Sequence, residues 1–230
     1  MAEKIVIDAG HGAPDGGSTG ISGTREDAVN LLVAQRLETL LTLMGYETAM
    51  TRTGPDCIAT EGDTIRQKKQ SDLRNRVELV NAPPAAVAVS IHQNHFPDPR
   101  YSGTQVFYSD GGEALAASAQ RALTAALAPG SKREPKQAAG VYLMEHIRHP
   151  GILVECGFLS NVTEYDNSLL YPINLTITAT NGNVTLNTVK LGETMEIVGR
   201  LLYNDTYPVK YAVMDDTLIY YHILPILSIC

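Results

Sequence analysis

The 230-residue chain is short of cysteine, of basic charge and of long apolar runs, and each shortage removes a class of function. Its three cysteines, Cys57, Cys156 and Cys230, lie far apart with no C-x-x-C pair. That argues against a disulfide framework and against a thiolate metal cluster, and leaves free thiols as the expectation. With 18 Lys+Arg against 25 Asp+Glu the net charge is -7, so electrostatic capture of nucleic acid or of an anionic membrane is disfavoured. The apolar stretch at residues 223–230 is broken by Pro225 and Ser228 and is far below the roughly 20 residues of a spanning helix. The amino terminus carries Glu3 and only a short apolar run, which does not read as a signal peptide. The chain as written is therefore expected to be soluble, and work outside the cytoplasm is expected to need a removed targeting segment or a phage-type release.

What is present, 44% hydrophobic and 19% charged residues, suits one medium α/β domain with a small appendage. Residues 4–8 (KIVID) form a β-branched run that stops at a glycine-flanked loop, as a buried strand would. Residues 27–44 follow a helical period through Val29, Leu32, Val33, Leu37, Leu40, Leu41 and Met44, and Gly45 stands where a C-cap would end the helix. A second strand is expected at 47–51, a long surface loop at 54–70, and a helix at 72–81. Further strands are expected at 87–91, 104–108, 141–144 and 152–155, with an alanine-rich helix at 113–127. Alternation of this kind predicts an α/β fold: a mostly parallel twisted sheet with helices on both faces, its chemistry in loops at the carboxyl ends of strands.

The pattern changes near Pro172. Alternating residues flank Asn181-Gly182, a strong hairpin signal, and further strands are expected at 195–203, 209–214 and 217–224. The expected division is a catalytic domain over residues 1–171 and a small all-β C-terminal segment over 172–230.

His11, Glu26 and His92 are candidates for a metal site, since a zinc hydrolase uses three protein ligands from the His/Glu set and keeps one position open for water. His11 follows the first strand between Gly10 and Gly12, Glu26 opens a helix, and His92 ends a strand. Taken one at a time, each is as well read as a hydrogen-bonded loop histidine or a helix N-terminal glutamate stabilised by the dipole. His146 and His149 are possible cleft residues or plain loop residues. Cys156 lacks a local cysteine-protease signature and reads as a small buried residue. The Gly10–Gly17 loop lacks both G-x-G-x-x-G and the Lys-Ser/Thr of nucleotide loops, which counts against a phosphate-binding reading.

These pieces occur in one order: Asp8-Ala9-Gly10-His11-Gly12, Asp15-Gly16-Gly17, Glu26, Thr51-Arg52, Arg76 with Asn81, Ser90-Ile91-His92-Gln93-Asn94, and the VECGFLSN run of residues 154–161. Over roughly residues 3–170 the chain resembles the zinc-dependent N-acetylmuramoyl-L-alanine amidases of the type 3 family, and among them those that process spore-cortex muramic acid. The resemblance implies one Zn2+ per chain held by His11, Glu26 and His92, with Glu155 as the catalytic carboxylate. It also implies a peptidoglycan or muropeptide substrate cut between N-acetylmuramic acid and L-alanine, action at the cell wall or spore cortex, and room for an accessory protein. Asn94 is a candidate substrate contact or a turn cap, and Arg76 a candidate substrate contact or a structural ion-pair partner. The alternative from another class is a catalytically inactive wall-binding or regulatory protein on the same fold. The chain departs from the family after Asn161, where Pro172 disfavours the long terminal helix that usually closes the sheet.

Overall fold

The computed structural model describes residues 4–21 and 23–164, together with four short strands between residues 177 and 209 that belong to a separate unit. The first unit is built on β1 (Lys4–Ala9), β2 (Thr48–Met50), β3 (Ala86–Asn94), β4 (Gln105–Tyr108), β5 (Lys136–Gln137) and β6 (Gly151–Phe158), in the sheet order β2-β1-β3-β6-β4-β5. Strands β2, β1, β3 and β6 are mutually parallel; β4 runs antiparallel to β6, and β5 is parallel to β4. The expected mostly parallel sheet is thus observed. The chain goes from β1 outward to β2 and then returns to the other side of β1 for β3, so the strand order reverses there. The crevice at the carboxyl ends of β1 and β3 is the place where such sheets bind ligands.

Helix α1 (Glu26–Leu43) buries Val29, Val33, Leu37 and Leu41, spaced four apart on one stripe. It ends as the sequence suggests. Gly45, at φ 90, sits beyond the cap, and the amides of Gly45 and Tyr46 bond back to the carbonyls of Thr42 and Leu41, satisfying two carbonyls that the last turn would otherwise leave open. Helix α3 (Glu113–Leu127) buries Ala116, Ala119, Gln120 and Leu123 and packs on β4 and β6. Helices α2 (Ile65–Asn81) and α4 (Tyr142–His146) cover the sheet through one cluster, in which Val80, Leu143 and Met144 join Val6, Ala88 and Leu153 of the strands.

Two expectations need correction. Residues 65–70 are not loop but the first turns of α2, where Thr64 and Gln67 form a reciprocal capping box. Residues 141–144 are not a strand: Tyr142–His146 is helical, and an apolar run that short has no periodicity able to tell the two apart. The two-residue β5 was not anticipated. In the second unit, β7 (Ile177–Thr180) pairs antiparallel with β8 (Asn183–Leu186), Thr180 opposite Asn183, in the register a two-residue connection requires. Strands β9 (Leu201–Tyr203) and β10 (Tyr207–Val209) also pair antiparallel. The expected strand at 217–224 and the domain boundary near residue 172 lie outside the described residues. No helix among the described residues is long and apolar enough to cross a membrane.

Beneath the crevice lies a buried ion pair. Asp8 on β1 and Arg76 on α2 meet at 2.6 Å, both side chains only 2% exposed, and Arg76 Nε donates to Asp72 at 2.8 Å. Thr51 and Ser90 hydroxyls donate to the two oxygens of Asp8. Burial alone would raise the pKa of Asp8, but the Arg76 charge and these hydrogen bonds hold it at about 2, below the ordinary 3.8. Because the folded value is the lower one, the stabilisation from ionised Asp8 is fully present above about pH 4 and is lost as pH falls through about 2; linkage puts it at ~2 kcal/mol. Replacing Arg76 by Met strands a buried carboxylate, and urea unfolding at pH 7 should show a loss of about 3–5 kcal/mol. A loss below about 1 kcal/mol would mean the pair is not the anchor described here.

Candidate metal centre

His11 leaves β1 in a backbone conformation, φ 60, that side chains other than glycine rarely adopt. Its loop is pinned from several directions. The Gly12 amide donates to the Asp15 carbonyl, the Ala13 amide to the Pro55 carbonyl, and the Cys57 amide to the Ala13 carbonyl. The carbonyls of Ala9, Gly10 and His11 have left the strand ladder but are not orphaned: Arg52 donates to Ala9 and Gly10, and Arg76 to Ala9 and His11.

Glu26 is the first residue of α1, where the helix dipole favours a carboxylate, and it is buried. Its Oε2 accepts from the Ser18 amide at 2.8 Å; its Oε1 accepts from the Gln93 amide at 3.2 Å and the Asn30 side chain at 3.3 Å. His92 stands near the end of β3, just before an irregularity in the β3–β6 register that falls between His92 and Asn94. Its ring lies over Gly10, where a Cβ would be 2.3 Å from Nε2, so only glycine admits the imidazole.

These elements bring three donor atoms together within 4.8 Å of one another. His11 Nε2 lies 3.2 Å from Glu26 Oε1, His92 Nδ1 lies 3.1 Å from the same oxygen, and the two rings meet edge to face at 5.0 Å. Burial would raise the pKa of Glu26, yet the hydrogen bonds from His11 and His92 hold it far below the usual carboxylate range. Burial would lower His11, but Asp15 and Glu26 raise it to about 9. The cluster therefore favours a positive charge between the two imidazoles and the carboxylate. Two neutral imidazoles and one carboxylate are a donor set that a borderline divalent cation takes, with a coordination position left over.

Glu155 on β6 is opposite His92 in the strand register. Its Oε2 is buried with no hydrogen-bond partner among the described residues, which in a native site asks for an explanation. Burial pushes its pKa up and the Glu26 charge adds to that, partly offset by His92 and His11. The two carboxylates are thus driven apart, Glu26 held ionised and Glu155 made a stronger base than an ordinary carboxylate, better suited to taking and returning a proton.

Other candidates are placed elsewhere. Arg76 is buried and bonds Asp8, Asp72 and the carbonyls of Ala9 and His11, the arrangement of a structural ion-pair partner. The Asn94 Oδ1 accepts from the amide of its neighbour His95 at 2.8 Å. His146 stacks on Tyr142, and His149 bonds the Pro83 carbonyl, both before β6 begins and so at the end of that strand remote from Glu155. Burial lifts the Cys156 thiol to about 12, which leaves it inert at neutral pH. Sequence reasoning missed Asn30, which supports Glu26 from one turn further along α1; the signal was a polar residue on an otherwise apolar stripe.

The model of the N-acetylmuramoyl-L-alanine amidase family Amidase_3 matches residues 5–169. The germination-specific N-acetylmuramoyl-L-alanine amidase of Bacillus subtilis (strain 168) is 39% identical over 169 residues, which is 71% of this chain and 70% of that protein. The CwlD amidase of Clostridioides difficile, solved in complex with the GerS lipoprotein, superposes with a TM-score of 0.68 at 33% identity, covering 72% of this chain and 87% of that one. An N-acetylmuramoyl-L-alanine amidase of Clostridium difficile 630 gives a TM-score of 0.61 at 25% identity, with 72% and 85% covered. With a crevice at the reversal of strand order, two histidines and a glutamate converging in it, and a family match over most of the chain, the protein belongs to the Amidase_3 family and is an N-acetylmuramoyl-L-alanine amidase.

Proposed function

We propose that this amidase is a zinc enzyme that cuts the amide between the lactyl group of N-acetylmuramic acid and L-alanine in wall peptidoglycan, with the spore cortex as its setting. The observation that carries the metal is the convergence of one donor atom each from His11, Glu26 and His92 within 4.8 Å of one another. The cortex setting rests on likeness to the germination-specific relative, and the GerS complex of the CwlD neighbour supports an accessory protein for this chain as well.

His11, Glu26 and His92 would hold one zinc ion, leaving a position for water. Bound there, zinc supplies an acidic water and polarises the scissile carbonyl. The remaining work is proton transfer. Glu155 takes the proton from the attacking water; the C–N bond then breaks, and the same carboxyl gives that proton to the departing amine of L-alanine. With its Oε2 bonded to no partner among the described residues, this carboxyl is free for both transfers.

Glu155→Gln should retain zinc and fold while turnover falls at least about 100-fold, the scale of losing a general acid/base. Near-normal turnover would move the role elsewhere, and loss of zinc would make Glu155 a ligand. A second expectation concerns Gly10→Ala, whose Cβ would meet the His92 ring at 2.3–2.7 Å. Metal analysis should show a sharp fall in bound zinc, with the circular dichroism unchanged; full zinc occupancy would remove His92 from the ligand set. Mass analysis of digested cortex and vegetative peptidoglycan should find free stem peptides beginning with L-alanine and intact glycan. Release of reducing sugar ends would instead indicate glycosidase chemistry, which needs two opposed carboxyl groups.

A further inference from the structure

Asp15 holds three groups at once. Its Oδ1 accepts from the Gly17 amide at 3.1 Å, which fixes the carboxylate to its own loop. Its Oδ2 lies 3.0 Å from His11 Nδ1 and 2.8 Å from Lys69 Nζ. Lys69 comes from α2, on the face that also carries Asp72 and Arg76 at spacings of three and seven residues, so the helix that anchors β1 also reaches the rim of the metal centre.

The backbone of His11 is already fixed by its strained conformation and by the Arg76 bond to its carbonyl. What remains free is rotation of the imidazole and the choice of which nitrogen bears the proton. A carboxylate at Nδ1 settles both: it accepts an Nδ1–H, so that Nε2, the nitrogen facing Glu26, is the one left to bind a cation. His92 is oriented differently, by the Glu26 oxygen at Nδ1 and by Gly10 beneath its ring. The two histidines thus depend on different supports.

We infer that Asp15, clamped by Lys69, is a positioning residue for the metal, selecting the Nδ1–H form of His11 and presenting Nε2 as the ligand. The inference rests on the zinc reading given above. Lys69 is about half exposed, so solvent screens its share, and the larger part of the effect lies with Asp15.

The test is zinc affinity by competition with a chromophoric chelator, for the wild type, Asp15→Ala, Lys69→Met, His11→Ala and the Asp15→Ala/His11→Ala pair. Asp15→Ala should weaken zinc about 10–100-fold, the usual cost of removing an outer-sphere partner. Lys69→Met, which leaves the loop untouched, should weaken it by a few-fold in the same direction, about threefold at low salt and less at high salt. In the His11→Ala background Asp15→Ala should have little further effect, because its action passes through that ring. Proton NMR of the zinc-loaded protein should show a slowly exchanging His11 Nδ1–H resonance that Asp15→Ala removes. Zinc binding by Asp15→Ala and Lys69→Met at wild-type strength would overturn the inference while leaving the zinc reading in place. So would an Asp15→Ala effect that persists undiminished without His11, since Asp15 would then be acting on the loop. A wild type that binds no zinc would sink the zinc reading and this inference together.

Discussion

A chain that leaves a sheet into a buried loop takes its carbonyls away from their strand partners, and burying them unpaired would cost more than the loop could bear. Here two guanidinium groups take those carbonyls. Arg52 and Arg76, both buried, bond Ala9, Gly10 and His11 in succession, and Arg76 also neutralises Asp8 at the end of β1. The position of His11 follows from this, because the loop can adopt its strained backbone only where its surroundings over-determine it. Arg52 also reaches the Asp27 carbonyl at 2.7 Å, so the start of α1, and with it Glu26, is tied to the same group. Two of the three candidate ligands are therefore located by one buried polar framework. The third, His92, is set by the register of β3 against β1 and by the absence of a side chain at Gly10.

The site separates two glutamates by their surroundings. Glu26 accepts hydrogen bonds from backbone, asparagine and imidazole groups and stays ionised, whereas Glu155 has one oxygen with no partner among the described residues and burial that raises its pKa. One carboxyl suits a cation and the other suits proton transfer, although both belong to elements meeting near the carboxyl ends of the central strands. The parallel pairing of β3 and β6 makes them neighbours by placing His92 opposite Glu155.

Much of this could be read from residue order. Strand runs such as residues 4–8 and 152–155 are β-branched and apolar, and His11, His92 and Glu155 stand at or beyond their ends, where a parallel sheet gathers its chemistry. The hairpin around Asn181-Gly182 was legible for the same reason, as alternation flanking a turn pair. What was not legible depends on distance in the chain. Arginine is usually exposed, and nothing near Arg76 signals that Asp8, 68 residues away, draws it into the core. The first turns of α2 carry Arg66, Gln67, Lys68, Lys69 and Gln70, with no apolar stripe to mark them; only the Thr64 cap does so. Missing that start concealed Lys69 and its approach to Asp15, since a loop lysine has no defined face.

The proposed role of the β1 loop, the start of α1 and the end of β3 is to hold one metal ion together. X-ray absorption at the zinc edge of the purified protein tests it most directly. One zinc per chain is expected, with nitrogen and oxygen neighbours at about 2.0–2.1 Å, two imidazoles among them and no sulfur. A zinc signal with sulfur neighbours near about 2.3 Å, or a fully folded and active protein with no zinc at all, would contradict it.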